Sequence, residues 1–366
     1  MEDSNKQIGE SQQNGQKILT DKSSTGKRRK WSQYKKQSLS VSDAYRTFEG
    51  AGTFSKRMDE CGGWLRFLVC LAGHGMLLVA AVFCQCRLCP LCQWRRSLIM
   101  FHQVKALAHE HIQHFKSDIP LLLTLTVPNV PANELSERIG LMQKSWNRLM
   151  NRNPVKRVCR SWFRALEITY NAERDDYHPH FHVLIMVPKA YFDYTRNLYI
   201  DRDEWLRIWQ EVTGLPEITQ ADIRRVKKLR KGTAVESVAA EVAKYATKPG
   251  DYVSALPNGL YEANATVVEA LHAALRRRRL VAFGGKFKEY RKQLEMQEVD
   301  EADMVHISDK EETCCCRICE SELIPEMYHW QIGLRQYVKR DITKESLKLP
   351  VHKKNEIVEK QGKDKD

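Results

Sequence analysis

Apolar residues between positions 121 and 245 form short runs and helical stripes that alternate along the chain. Leu121–Val127 is a mainly apolar run closed by Pro128, which predicts a buried strand. Asn133–Met150 carries apolar residues at helical spacing, which predicts an amphipathic helix. The same criteria predict strands at 162–170, 181–187 and 219–226 and helices at 201–212 and 235–245.

The order of these elements is strand, helix, strand, strand, helix, strand, helix. Two consecutive strands in the middle of the series indicate a mostly antiparallel sheet. We therefore predict an α+β fold of the split βαβ kind, RRM- or ferredoxin-like, with the helices on one face of the sheet. This core is assigned to residues 106–255.

The segments on either side of this core differ from it in composition. Residues 1–55 are rich in Gln, Ser, Lys and Asn, which predicts a disordered basic tail. The apolar stretch Phe67–Phe83 is interrupted by glycines, so we expect two short strands there and no membrane span. The other predicted segments are a cysteine-rich zinc-binding segment at 56–105, a basic helical region with a second cysteine cluster at 256–340 and a polar tail at 341–366.

The chain has an excess of positive charge, with 59 Lys and Arg against 46 Asp and Glu, a net charge of +13 and a pI near 9.2. This excess indicates a polyanionic partner, usually nucleic acid. A basic tail on an otherwise neutral protein is the alternative. The basic residues predicted to contact DNA are Arg95, Arg96, Arg224, Arg225, Lys244 and Lys248.

Three histidines alternate with other residues in one predicted strand. His178, His180 and His182 therefore point to one face of the sheet, as metal ligands in a strand would. Glu167 lies among apolar residues in the preceding strand, where a carboxylate is expected to be paired or to coordinate a metal. Imidazole and carboxylate together predict a site for Mg²⁺ or Mn²⁺.

A carboxylate and a phenol lie one helical turn apart in the last predicted helix. Glu241 and Tyr245 share one side of that helix, and Lys244 and Lys248 add positive charge near them. A tyrosine beside a metal suggests phosphoryl transfer through a covalent tyrosine link. Tyr252 is a second candidate for the nucleophile.

Eleven cysteines are present, and the polar N-terminus has no signal peptide, so we expect a cytoplasmic protein with reduced thiols. Cys89 and Cys92 form a CxxC knuckle typical of structural zinc. The predicted zinc ligands are Cys61, Cys84, Cys89 and Cys92, with Cys86 able to exchange roles with Cys61. Cys316 and Cys319 form a second CxxC and a candidate for a second zinc, whose nearby partner candidates are Cys314, Cys315 and His329.

Taken together, these motifs resemble the replication initiators (Rep proteins) of rolling-circle plasmids, within the HUH endonuclease superfamily. Leu123–Asn129 resembles the first motif of that family, His178–Ile185 its metal-binding motif and Glu241–Lys248 its catalytic motif. The cysteine segment from Phe83 to Ser97 also resembles the amino-terminal part of the family. The resemblance covers about residues 60–335 and implies that 106–255 is an HUH nicking domain.

By this resemblance, Tyr245 attacks a phosphate at the plasmid origin, forms a 5′-phosphotyrosine and frees a 3′-OH primer. His180, His182 and Glu167 hold the metal that polarises this phosphate, and Glu241 activates water at termination. The implied partners are single-stranded or supercoiled origin DNA and the host helicase, polymerase and single-strand-binding protein.

Other classes of protein share parts of this pattern. A zinc-stabilised DNA-binding regulator without nicking activity would keep the cysteines and the charge. A related tyrosine HUH transposase would share the chemistry. A histidine-triad nucleotide hydrolase would share alternating histidines but leaves Tyr245 and the cysteines unexplained.

Overall fold

The computed structural model describes residues 12–13, 16–23, 26–225, 234–243, 248–307 and 315–342. Thirteen strands lie within these residues: β1 (Gln12–Gln13), β2 (Gln16–Lys17), β3 (Trp64–Val69), β4 (Met76–Ala81), β5 (Ile119–Thr126), β6 (Ser161–Asn171), β7 (Asp176–Val187), β8 (Ala221–Arg225), β9 (Val253–Ala255), β10 (Tyr261–Ala263), β11 (Val281–Gly285), β12 (Ile324–Gln331) and β13 (Gln336–Arg340).

Nine α-helices lie within the same residues: α1 (Trp31–Tyr45), α2 (Gly52–Glu60), α3 (Pro90–His114), α4 (Ala132–Met150), α5 (Asn153–Val158), α6 (Arg202–Thr213), α7 (Ala234–Val242), α8 (Ala265–Leu275) and α9 (Lys286–Gln293). Short 3₁₀ turns occur at Lys189–Phe192, Tyr194–Arg196 and Pro249–Asp251. Among these described helices, none is long and apolar enough to cross a membrane.

The central sheet has five antiparallel strands in the order β11-β6-β7-β5-β8. The predicted elements from β5 to α7 are present in the predicted order, with bounds that differ by up to five residues. Two elements were not predicted: α5, which lies between α4 and β6, and the edge strand β11, which lies outside the predicted core 106–255. β7 lies in the middle, so its side chains face residues from both neighbours. In this register His180 lies opposite Glu167 on β6, and His182 lies opposite Thr124 on β5.

Local sequence sets the ends of α6, which packs against α4. The Asp201 carboxylate accepts a hydrogen bond from the backbone N–H of Glu204 at 2.7 Å, which caps the first turn of the helix. Gly214, with a φ of +72°, ends it in the left-handed conformation that glycine adopts at low cost.

Helices cover both faces of this sheet, so the prediction of helices on one face is wrong. On the face that carries Phe181, the aromatic residues Trp146 of α4 and Trp209 of α6 pack against its ring. The opposite face carries the histidines in one half and buried apolar residues, including Leu184 and Met186, in the other. α9 covers part of this apolar half, because the Arg291 guanidinium lies over the ring of Phe283, which pairs with Phe163 opposite Leu184. α7 also contacts the sheet, at β5 and β7.

The predicted disordered tail at 1–55 is also wrong for its later part. Residues 31–45 form α1, in which Trp31, Val41 and Tyr45 are buried, and α1 packs on α2, α3 and α8. Several of the serines in this later part make hydrogen bonds inside the fold. Ser38 and Ser42, for example, donate hydrogen bonds to backbone carbonyls, so their hydroxyls are buried without loss of partners.

A second antiparallel sheet has the order β13-β12-β3-β4. It therefore joins parts of two segments that the sequence separated, 56–105 and 256–340. Glu326 of β12 lies buried in this sheet, with its carboxylate next to the ammonium groups of Lys17 and Lys339. Ile18 also forms an antiparallel bridge with Val338 of β13, so the two ends of the described chain meet at the edge of this sheet.

Candidate metal centre and active site

The predicted metal ligands on the central sheet lie together. The Nε2 atom of His182 is 3.1 Å from Oε2 of Glu167, and the Nε2 atom of His180 is 3.8 Å from the same oxygen. One ligand atom from each of the three residues lies within 4.8 Å of the others. Adjacent and opposite ligands of an octahedral ion with bonds of about 2.1 Å are about 3 to 4 Å apart, so this spacing suits such an ion.

The charge states of these groups also suit a cation. Burial raises the pKa of Glu167, but His182 and Lys248 beside it outweigh burial and lower that pKa to about 2. Burial, helped by His182, lowers the pKa of His180 to about 4. Near neutral pH the site therefore presents a carboxylate and a neutral imidazole, the forms that bind metal.

Hydrogen bonds orient the imidazoles towards the carboxylate. Nδ1 of His180 lies 3.1 Å from the carbonyl oxygen of His178, and Nδ1 of His182 lies 3.4 Å from the hydroxyl of Thr124. If each Nδ1 carries the proton, each Nε2 is left with a lone pair facing Glu167. Within the described residues, neither carboxylate oxygen of Glu167 makes a well-directed hydrogen bond, although both lie against nitrogen atoms. These side chains offer the ligand atoms that a metal site needs.

His178 takes a different place from the other two histidines. Its ring stacks on that of His180 with centroids 5.2 Å apart, and it lies outside the three-residue ligand group. Its carbonyl oxygen and its ring both contact His180, but its imidazole is not one of the grouped ligands. The structure therefore gives His178 a supporting position.

The catalytic motif is only partly described. Glu241 lies in α7, which contacts β5 and β7, but its side chain is outside the described part, as are Lys244 and Tyr245 altogether. Lys248 is described, and its ammonium group forms an ion pair with Glu167. The last residue of the motif, Lys248, thus lies at the three-residue ligand group.

Tyr252, the second candidate for the nucleophile, is buried. Its hydroxyl donates to the carbonyl oxygen of Leu88 and to Oε1 of Gln93, both at 3.0 Å, and only 2% of the residue is exposed. A phenol held in this way has no access to a phosphate. Tyr252 therefore links the chain after α7 to the start of α3.

The prediction that Arg95 and Arg96 contact DNA is wrong. Arg95 and Arg96 in α3 are buried and donate to backbone carbonyls, Arg95 to Met304 and Arg96 to Cys86. They hold loops together instead of facing a ligand. Arg224 and Arg225 are exposed on β8 at the edge of the central sheet, where a polyanion can reach them.

The four predicted zinc ligands Cys61, Cys84, Cys89 and Cys92 are brought together and are all buried. The sulfurs of Cys61 and Cys92, of Cys84 and Cys92, and of Cys61 and Cys89 lie 3.5 to 3.7 Å apart, and all four sulfurs lie within 4.8 Å of one another. Tetrahedral zinc with Zn–S bonds of about 2.3 Å places its sulfurs about 3.8 Å apart, so the cluster has the size of a zinc site. Cys86 lies outside this group, and its thiol points to the carbonyl oxygen of Cys84 at 3.6 Å.

The second CxxC has partners that the sequence reasoning missed. Cys316 and Cys319 lie with Cys70 and His74, which flank the turn between β3 and β4. Two of the predicted partners, Cys315 and His329, are wrong because they lie outside this group. The third, Cys314, lies outside the described residues. The signal that could have found the partners is the spacing of Cys70 and His74 across a glycine-rich turn.

Comparisons with known proteins agree with these motifs. The model of the replication protein family matches residues 75–338. The chain is 37% identical over 297 residues to Protein rep of Streptococcus pneumoniae serotype 2 (strain D39 / NCTC 7466), which covers 81% of this chain and 89% of that protein. It is 33% identical over 346 residues to Protein rep of Bacillus amyloliquefaciens, covering 90% and 99% respectively. No solved structure matches the chain.

Proposed function

The chain belongs to the replication protein (Rep) family, and from this premise we propose that it initiates rolling-circle replication of a plasmid by nicking its origin. The proposed reaction is metal-dependent cleavage and joining of single-stranded origin DNA through a 5′-phosphotyrosine on Tyr245. The proposed protein class is an HUH endonuclease, and its proposed location is the cytoplasm.

One observation carries the proposal: ligand atoms of Glu167 on β6 and of His180 and His182 on β7 lie within 4.8 Å of one another. Lys248 pairs with Glu167, and Tyr245 precedes Lys248 by three residues. Three residues span at most about 11 Å, so Tyr245 and Lys248 are close enough in the chain for one site to use both. Arg224 and Arg225 on the edge strand offer charges for the DNA backbone.

In the proposed reaction the phenolic oxygen of Tyr245 forms a bond to phosphorus, and the bond from phosphorus to the 3′ oxygen breaks. The phenol loses its proton, and the 3′ oxygen gains one to become the primer hydroxyl. A bound Mg²⁺ or Mn²⁺ supplies Lewis-acid polarisation of the phosphate. Glu167 and the two histidines hold that ion, Lys244 and Lys248 balance phosphate charge, and Glu241 accepts a proton from water at termination.

The buried cysteine group is proposed to hold structural zinc, because four thiolates at this spacing favour Zn²⁺ over harder cations. The ion would join α2 to the first turn of α3. The implied partners of the initiator are the host helicase, polymerase and single-strand-binding protein.

The test is mass spectrometry of the full chain after incubation with Mn²⁺ and supercoiled plasmid carrying its own gene and flanking DNA. Wild-type protein should open the circle and carry a DNA adduct on Tyr245, whereas Tyr245→Phe should bind DNA without an adduct. Tyr252→Phe is the matched control, because its buried hydroxyl should not react. Glu241→Ala should form the adduct but release it more slowly.

Each other result has a distinct meaning. If the wild type bound DNA without nicking it, the proposed enzymatic function would be overturned and the zinc-stabilised DNA-binding regulator would be favoured. An adduct mapped to another tyrosine would keep the family and refute Tyr245 as the nucleophile. Nicking that survives removal of Mn²⁺ by a chelator would refute the metal centre.

A further inference from the structure

A second group of metal-ligating side chains lies at one end of the four-stranded sheet, on elements other than those of the central sheet. Its members are Cys70, His74, Cys316 and Cys319, whose ligand atoms all lie within 4.8 Å of one another. We propose that these residues form a Cys₃His zinc site of the zinc-ribbon type, which fastens the segment before β12 to the β3–β4 hairpin. This proposal does not depend on the proposed nicking function.

The first pair of ligands lies on the turn of the β3–β4 hairpin. The backbone N–H of Cys70 donates to Gly75 at 3.2 Å, and the N–H of Gly73 donates back to Cys70 at 2.9 Å. Gly73 and Gly75 have φ values of +79° and +143°, which other residues rarely adopt. This tight turn places the Cys70 sulfur 3.6 Å from Nδ1 of His74.

The second pair lies on a matching turn. The N–H of Cys316 donates to Ser321 at 2.7 Å, and the N–H of Glu320 donates to Cys316 at 2.8 Å. Cys315 and Glu322 form an antiparallel bridge that closes the turn. Two hairpin turns that each present two ligands are the arrangement of a zinc ribbon.

The distances between the two turns match tetrahedral zinc. The sulfurs of Cys70 and Cys319 are 3.5 Å apart, and the Cys316 sulfur is 3.6 Å from Nδ1 of His74. Bonds of about 2.3 Å to sulfur and about 2.0 Å to nitrogen would place such atoms about 3.5 to 3.8 Å apart. A disulfide is excluded because its sulfurs would be about 2 Å apart. Thiolate ligands select zinc over magnesium or manganese.

The apolar side chains at the tips of these turns add little packing between them. Leu71 and Ile318, at the tips of the two turns, are 73% and 71% exposed. The ligands Cys70 and Cys319 are 249 residues apart in the chain, so the ion would close a very long loop. A metal ion that closes a long loop reduces the entropy of the unfolded chain more than one that closes a short loop. β12 starts a few residues later and pairs with β3, so the clip would fix the start of that pairing.

Zinc content tests the proposal without DNA or activity. The full chain is purified from cells grown with zinc, in a His180→Ala/His182→Ala background so that the group on the central sheet binds no zinc. We expect two zinc ions per chain by elemental analysis and native mass spectrometry. Cys316→Ser/Cys319→Ser should lose one of them, whereas Cys315→Ser, a matched change of the neighbouring cysteine, should keep both. One zinc before and after the double substitution would overturn the proposal.

His74 provides a second measurement that is less sensitive to folding. His74→Cys should retain both ions, because a Cys₄ site also binds zinc, and His74→Phe should lose one. X-ray absorption at the zinc edge should show nitrogen and sulfur ligands in the parent chain and sulfur alone in His74→Cys. An all-sulfur shell in the parent chain, or a zinc content that His74→Phe leaves unchanged, would refute the ligand set.

Discussion

Lys35 is a fully buried lysine beside the first cysteine group. Only 1% of the residue is exposed, and its ammonium donates to the carbonyl oxygens of Asp59 and Cys61, both at 2.7 Å. Burial lowers the pKa of Lys35, and the nearby Cys61 and Cys89 thiols oppose that shift. Zinc with four thiolates would carry a net negative charge, which this ammonium would partly balance.

Lys35→Met keeps most of the side-chain volume and removes both hydrogen bonds. Each buried carbonyl that loses its donor costs about 1–3 kcal/mol, or about 2–6 kcal/mol for the pair. Relief of the desolvation of the ammonium offsets part of this cost. We therefore expect the free energy of unfolding to fall by about 3 kcal/mol, which is roughly a hundredfold in the ratio of folded to unfolded protein.

Urea denaturation followed by circular dichroism measures this change, and a colorimetric chelator measures the rate of zinc release. Lys36→Met is the matched control, because Lys36 is the next residue of α1 and is partly exposed. Zinc release should be faster in Lys35→Met than in Lys36→Met. A loss below about 1 kcal/mol with unchanged zinc release would refute the structural role of this ammonium.

Two further predictions concern stability. Gly285→Ala should cost about 3 kcal/mol or more, because φ is +58° there and a Cβ would overlap the carbonyl oxygen of Arg160. Gly333→Ala, which adds a Cβ with nothing within 4 Å, should be near neutral; equal melting temperatures for the two would contradict the clash. Burial raises the pKa of Glu326, but its neighbours, Lys339 foremost, hold it below the usual 4.5. The ionised Glu326 carboxylate therefore stabilises the fold fully above about pH 4.5, and this contribution is lost as the pH falls through its folded-state pKa. The free energy of unfolding of Glu326→Gln should thus fall less in acid than that of the wild type. Parallel curves of unfolding free energy against pH for the two proteins would count against this assignment.

Local patterns predicted four of the five described strands of the central sheet because these segments are strongly patterned, and missed the edge strand β11. The alternation around Phe181 placed the histidines on one face and the phenyl ring on the other, and the structure confirms this division. The cysteine group at Cys89 and Cys92 was predictable for a similar reason, since half of its ligands lie in one knuckle. Both features depend on residues that are close in sequence.

The errors concern contacts between distant parts of the chain. Arg95 and Arg96 were predicted to contact nucleic acid because they form a basic pair in the sequence. The sequence does not reveal the carbonyl groups that surround this pair in the fold. The partners of Cys316 were missed because Cys70 is more than two hundred residues away and the two meet only when β12 pairs with β3. Such pairing follows from the whole topology.

The structure connects the first cysteine group to the proposed active site through packed elements. Cys89 and Cys92 lie at the start of α3, and α3 contacts α7. Lys105 of α3 also pairs with Glu236 of α7 at 2.5 Å. α7 contacts β7, which carries the candidate metal ligands in its first half and buried apolar residues in its second. Since α3 begins at the cysteine group and packs on α7, we expect loss of this group to disturb α7, the helix that leads into the proposed catalytic motif, and through it the candidate ligand group on β7.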